Sequence, residues 1–418
     1  MLRELLQRTG LEPERTAALL GISPGLFQEW LANQRPIPSS MLKVLSNVVG
    51  LDLEPFLQRK VPAQEAAAVT PAIWFRFRGE KLVPQDREFV LLIRRLGFFI
   101  NELEDVTGAK SVGWKALFQE IRTRIDIQAP PRVQGIQAAN MFRESRGLSV
   151  GASGVGKVLR SNLRSMGVLV VETPVPKSQL EGCCFYVGSR PDERPCIFAN
   201  THHTVWFRRN ATLLHEVAHA IFDAESEGAA LDFYNDNDKS KIAEERADAF
   251  AQQILVPRQV LQHTAQRSGI QWNSLSEHSL AKLIAETHAE KRTVLRAAFE
   301  NELISPELYS SYQSLDVTAD LRRLSPHALS TEEYIKAHDK HAHKWHGKRS
   351  VTLGATTLRL PTPYVKAVLD AFSSGEISQG KAAEMLMISS ETFRRRFPEV
   401  SAERDRVDEE LDGDLAFA

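Results

Sequence analysis

The residues best suited to chemistry form one short run, His215-Glu216-Val217-Ala218-His219. On an α-helix, side chains advance by about 100° per residue, so positions four apart lie about 40° apart on one face. Two neutral imidazoles at that spacing can hold one zinc ion, and an adjacent carboxylate can act on a water beside it. The flanking stretch ATLLHEVAHAIFD has no Gly or Pro and is expected to be helical, with Asn210 as its N-cap. Leu213, Leu214, Val217, Ala218, Ile221 and Phe222 give that helix an apolar remainder.

A catalytic zinc takes three protein ligands and keeps one position open. The metzincin continuation is absent, because Phe222 and Glu225 stand where its Gly and third His would be. The segment KIAEERADAFAQQILVP supplies candidates: Glu244 and Asp248 share a face of a helix that is otherwise rich in Ile242, Ala243, Ala247, Phe250, Ala251 and Ile254. A carboxylate on an inward-packing helix needs a partner. Glu244 is assigned as third ligand and Asp248 as the acceptor for an imidazole N–H, that of His215. Asp223 is a competing ligand. Glu216 is the expected catalytic acid/base. Tyr234, His202 and His203 are the candidates for the donor that steadies a developing oxyanion, and the sequence does not choose among them.

These motifs carry a resemblance. GVLVVE, then CCFYVGSRPDERPCIFANTHHTVWFRRNATLLHEVAHAIFD, then EERADAFAQQILVP, resembles the ImmA/IrrE family of metallopeptidases. That family has a strand ending in Asn before a loop (here Asn200), then T-L-x-H-E-x-x-H, then E-x-x-A-[ND]-x-F-A followed by a Pro (here Pro257). The resemblance covers about residues 135–260. It implies a gluzincin-like zinc peptidase with His215, His219 and Glu244 as ligands and Glu216 as acid/base. It also implies a DNA-binding repressor as protein substrate; with a repressor-like module beside the zinc motif, the expected partner is a transcriptional repressor or antitoxin in stress response or mobile-element/phage control.

The elements that must position these groups follow from periodicity and breakers. Strands are expected at 168–172, 183–188 and 195–200, and helices at 210–223 and about 239–255. The fold class is α+β and mostly helical: a peptidase core with a small β-sheet, flanked by helical modules. The expected divisions are a helix-turn-helix of the XRE type at 1–57, a linker and helical segment at 58–131, the core at 132–260, a helical region at 261–360, a second helix-turn-helix-like module at 361–400 and an acidic tail at 401–418. In the first module Ser23 would cap a recognition helix at 24–32. Leu19, Ile22, Leu26 and Trp30 would face its core, and Gln28, Glu29, Asn33, Gln34 and Arg35 would face double-stranded DNA. Residues 1–60 carry seven basic and six acidic side chains, a weak balance for phosphate contact. The C-terminal module offers Arg394, Arg395 and Arg396 to phosphates, or a surface for protein contact or homodimer formation.

Composition narrows the class. With 43% apolar and 25% charged residues in 418, the chain is ordinary globular material of more than one domain. Lys+Arg 52 against Asp+Glu 53 gives a net charge of -1, so any nucleic-acid surface must be local. Three cysteines, Cys183, Cys184 and Cys196, are too few for a disulfide framework. The N-terminus lacks a signal-peptide pattern and no run reaches the length of a membrane span, so a cytoplasmic protein is expected. Gly151 to Lys157 imitates a phosphate loop but lacks a preceding strand and the following Ser/Thr, and is read as a loop entering a helix. The tract His338, His341, His343 and His346 is read as a solvated linker. A second reading of the whole is a DNA-binding regulator whose peptidase-like domain senses or scaffolds without proteolysis.

Overall fold

The computed structural model describes residues 13–20, 22–39, 84–108, 113–148, 154–175, 180–187, 194–202, 204–223, 229–233, 242–325, 348–353 and 356–400, with isolated positions elsewhere. The chain forms two compact units. One comprises Met1–Lys110, Val187–Glu193 and Trp345–Ala418, and the other Ser111–Tyr186 and Arg194–Lys344.

The first unit begins with helices α1 (Pro13–Leu20) and α2 (Pro24–Leu31), which pack on each other. Ser23 caps α2 as expected, its Oγ accepting the Leu26 N–H at 3.2 Å. Pro24 stands in the first turn, where a missing N–H costs nothing. Trp30 is buried, but Leu26 and Ile22 are only half-buried, and Phe27 takes the central place with its ring edge-on to Trp30. Leu19's side chain lies outside the described residues. Helix α3 (Pro84–Thr107) buries Phe89, Leu92, Ile93, Leu96, Phe99 and Leu103, which recur every three or four residues apart from the adjacent Leu92 and Ile93 and form one helical stripe.

The second unit holds the sheet. After α4 (Gly113–Arg124), α5 (Pro131–Ser145) and α6 (Val155–Ser165) come β1 (Leu169–Thr173), β2 (Leu180–Val187) and β3 (Arg194–Asn200). Helix α7 (Trp206–Phe222), β4 (Ala229–Phe233) and α8 (Ile242–Leu255) follow. The strand order is β1-β3-β2-β4, with β1 parallel to β3 (Val170 opposite Ile197) and β2 antiparallel to β4 (Cys183 opposite Leu231). Every residue of β3 is buried, the mark of a central strand covered on both faces. The three cysteines form no disulfide and are buried on β2 and β3, as filler. Strand β4 was not anticipated: AALDF is short and lacks the β-branched run that signals a strand.

Helix α7 lies on β3, and α8 packs across both α7 and α5. Gly135 on α5 permits that closeness, since a Cβ there would stand 2.3 Å from the Arg246 carbonyl oxygen. Phe142 and Phe250 meet edge-to-face in the seam at 5.8 Å. The chain continues through α9 (Arg258–Arg267), α10 (Glu277–Thr287), α11 (Lys291–Glu300), α12 (Pro306–Gln313) and α13 (Thr318–Leu324). One buried cluster runs from Trp114 to Val317, so packing continues across both limits, 132 and 260, drawn from the sequence.

Two local readings are corrected. Helix α7 starts about one turn earlier than expected, and Asn210 is not its cap but a fully buried residue inside it. The Asn210 amide donates to the His288 carbonyl at 2.9 Å and its oxygen accepts from Arg160 at 2.7 Å, so tertiary partners take the place of a capping role. Ile242, expected inward on α8, is 63% exposed because it opens the helix before the packed seam.

The first unit closes with a hairpin, β5 (Ser350–Leu353) against β6 (Thr356–Arg359), and helices α14 (Thr362–Ser373), α15 (Gln379–Met385) and α16 (Ser390–Arg396). Ser378 and Ser389 cap the last two helices. Arg394 and Arg395 are exposed. Arg396 is half-buried, and its Nη1 donates to the carbonyls of Lys348 and Ser350. No helix among the described residues is long and apolar enough to cross a membrane.

Candidate metal centre

Helix α7 is sheathed almost completely, so its polar side chains are held without freedom to rotate away. His215, Glu216 and His219 are all buried, and the two imidazoles lie edge-to-face with centroids 4.7 Å apart. Glu244 stands in the first turn of α8, where the helix dipole favours a carboxylate. The packing of α8 on α7 brings it against both rings: Glu244 Oε2 is 3.2 Å from His215 Nε2, and Oε1 is 3.7 Å from His219 Nε2. The two Nε2 atoms are 3.0 Å apart. His215, His219 and Glu244 thus offer three ligand atoms within 4.8 Å of one another.

The other nitrogen of each ring meets a carboxylate. His215 Nδ1 donates to Asp248 Oδ1 at 3.1 Å, and His219 Nδ1 donates to Asp223 Oδ2 at 2.9 Å. Asp248 is thus the carboxylate beside His215. Asp223, the competing ligand, turns to the far side of His219 instead of joining the three. With both Nδ1 protons committed, both Nε2 lone pairs face inward with a carboxylate beside them. Such an arrangement repels itself unless a cation fills it. Zinc bonds of about 2.0–2.1 Å at tetrahedral angles place neighbouring donors about 3.3 Å apart, within the range seen here. The residues fit the ion.

With the rings protonated, burial pushes the Glu244 carboxyl up, but the hydrogen bond from His215 and the charges of His219 and His215 outweigh it, and the group lies below the usual carboxylate range. Asp248 behaves alike: burial opposes ionisation, while the His215 hydrogen bond and charge, with Arg296 and Arg292, favour it. Both carboxyls are thus biased toward the anion that a metal ligand or an imidazole partner requires.

The buried Glu216 side chain lies against strand β2. Gly182 makes room for it: a Cβ there would come within 2.7 Å of both Glu216 Oε1 and the Thr212 methyl. The register of β2 against β4 shifts between Leu180 and Gly182, so the glycine sits at an irregularity of the strand. Beside it Glu181 is gripped by Arg208, with NH2 to Oε2 at 2.8 Å, and accepts from Thr212 Oγ1 at 3.3 Å. Burial pushes the neighbouring Glu290 carboxyl up, with Arg208 opposing and Glu181 reinforcing the rise.

Of the oxyanion candidates, Tyr234 and His203 lie outside the described residues. His202 is on the loop leading into α7, with its backbone N–H bound to Asn200 Oδ1 at 3.0 Å, and is not among the three clustered groups. Asn200 also binds the backbone of Val175 through both side-chain atoms, joining two loops at the ends of β1 and β3. Gln28, Asn33, Gln34 and Arg35 are exposed at the end of α2, as a contact surface would need, though Arg35 lies 3.5 Å from Glu29. The imitation phosphate loop lies partly outside the described residues, and the last described element before it is a helix. The His338–His346 tract lies outside them altogether.

Residues 163–281 match the family model of Peptidase_M78, the IrrE N-terminal-like domain. This segment is similar to a metallopeptidase of the ImmA/IrrE type. The match spans both clustered histidines, Glu216, Glu244 and Asp248. No curated protein matches the chain.

Sequence reasoning missed Gly182, Arg246 and Arg296. A glycine within an expected strand neighbourhood was a usable signal of close backbone approach. Arg246 binds Asp223 at 2.5 Å, and Arg296 lies 3.5 Å from Asp248. Nothing in spacing alone points to either, because both contacts join separate helices.

Proposed function

We propose that this protein is a zinc-dependent endopeptidase. Its partner would be a protein: a DNA-binding repressor, as the family resemblance implies, or an antitoxin. His215 and His219 through Nε2, and Glu244 through its carboxylate, would hold the ion. The observation that carries the reading is the convergence of two inward lone pairs and one carboxylate at spacings of 3.0, 3.2 and 3.7 Å.

When bound, zinc supplies a Lewis acid that polarises a peptide carbonyl and draws the pKa of a water toward neutrality. The chain's own groups do the rest. Asp248 and Asp223 hold each imidazole in the tautomer with its Nδ1 protonated and its Nε2 bare. The Glu216 carboxylate accepts the proton of the attacking water as its oxygen bonds to the carbonyl carbon. It then delivers that proton to the amide nitrogen as the C–N bond breaks. Glu216 and Thr212 both lie against the Gly182 backbone, which has no side chain to displace them.

The test has two arms. Metal analysis of the purified chain is expected to find one zinc, lost on His215→Ala. Partners trapped on Glu216→Gln, identified by mass, are expected to be cleaved by the unsubstituted protein and left intact by the variant with metal retained. A chain that binds no zinc, or Glu216→Gln with undiminished hydrolysis, would overturn the reading.

A further inference from the structure

The two histidines are held by parallel but unequal sets of contacts. On His215 the acceptor is Asp248, 44% exposed, and its arginine is Arg296 of α11, which is shared with Glu300 at 2.9 Å. On His219 the acceptor is Asp223, 12% exposed, and its arginine is Arg246 of α8. Arg246 has partners on both α5 and α7. Its NH2 donates to Asp223 Oδ1 at 2.5 Å, and its NH1 donates to Gln134 Oε1 at 3.1 Å. The guanidinium carbon sits 4.4 Å from the centre of the Phe222 ring. Gln134 is oriented in turn by the carbonyls of Ile127 and Ala129, to which its amide donates at 3.1 and 2.8 Å. The contacts thus run from α5 through α8 to α7 and end on a metal-facing imidazole.

We propose that Arg246 is a positioning residue for the metal centre, an inference that rests on the zinc reading above. Its guanidinium fixes Asp223 as the acceptor for His219 Nδ1, so that Nε2 is presented to the ion. The same group pins α8 to the end of α7 and thereby sets the distance from Glu244 to both rings. Electrostatics explains why a cation is needed. Asp223 is the C-terminal cap of α7, where the helix dipole disfavours a carboxylate, and Arg246 offsets that field. A guanidinium suits the place because two of its nitrogens must serve acceptors on two different helices at once.

The test uses the full chain, with zinc affinity measured by competition against a chromophoric chelator and ligand geometry read from the visible spectrum of the cobalt-substituted protein. Folding is followed by circular dichroism and by the metal-free melting temperature. Arg246→Met is expected to weaken zinc binding about 10- to 100-fold and to alter the cobalt bands, as loss of such supporting partners generally does. Arg246→Lys should recover part of the loss. Asp223→Asn should weaken binding similarly, and the double variant should be no weaker than the worse single one. Additive losses, or a folded Arg246→Met with unchanged affinity and cobalt spectrum, would overturn the proposal. Should Arg246→Met not fold, Arg246→Lys replaces it in the cycle under the same criteria. An unsubstituted chain that binds no zinc overturns the metal-centre reading itself, which separates the two failures.

Discussion

Glu216 and Gly182 are matched in shape, although only one of them carries a side chain. The carboxylate is buried, and the absence of a side chain at position 182 is what admits it. Gly182→Ala would place a carbon within 2.7 Å of Glu216 Oε1, so the carboxylate must shift. A displacement of about 1 Å at a reacting group costs on the order of 100-fold in rate. Gly182→Ala is therefore expected to lower hydrolysis by at least about tenfold while zinc content stays at the unsubstituted level, measured on the same preparation. Retained activity would show that Glu216 has freedom the geometry denies it. The clustered residues were legible because four-residue spacing maps onto one helix face whatever the surroundings. Glycine's role was not, because it depends on what lies across from it.

Helices and strands are joined here by a buried network that the sequence did not disclose. Arg160 of α6 grips Glu172 of β1 through two nitrogens, at 2.6 and 2.7 Å, and lies 3.5 Å from the Trp206 ring of α7. Burial alone would raise the Glu172 carboxyl. The charge and hydrogen bonds of Arg160, with the charges of Arg209 and Arg164, bring it down to about 2. A depressed carboxylate contributes stability that is present above its unfolded pKa and is lost as pH falls through the folded one. The window is about pH 4.5 to 2, and the shift corresponds to about 3 kcal/mol. In thermal melts, Glu172→Gln is expected to be less stable than the unsubstituted chain above about pH 5, with the gap closing toward pH 2. A gap independent of pH would mean that the ion pair is not its source. Asn210 shows why such networks escape a linear reading. Its type suits a cap, yet its partners Arg160 and His288 are remote in the chain, and they decided its place. Helix existence was readable from periodicity and strands from short apolar runs; the start of α7 and the strand β4 depended on tertiary contacts.

At the scale of the whole chain, the candidate metal site His215, His219 and Glu244 belongs to the unit formed by Ser111–Tyr186 and Arg194–Lys344. A ligand that binds only the folded form raises stability by about 2.7 kcal/mol at 100 times its dissociation constant. Zinc is expected to raise the melting transition of that unit alone, reversibly with chelator, and His215→Ala should abolish the shift. A zinc effect on every transition, or one that survives His215→Ala, would count against the site. The matched family segment, 163–281, contains the three clustered residues but ends before Arg296 and begins after Gln134. It also divides the buried cluster that extends from Trp114 to Val317. Truncation to those limits would keep every chemical group of the centre and strip away the supports on both flanks, leaving raw apolar faces of α7 and α8 open to water. A recombinant fragment drawn to the homology boundary would aggregate, whereas one drawn at 111–344 would carry its own interior.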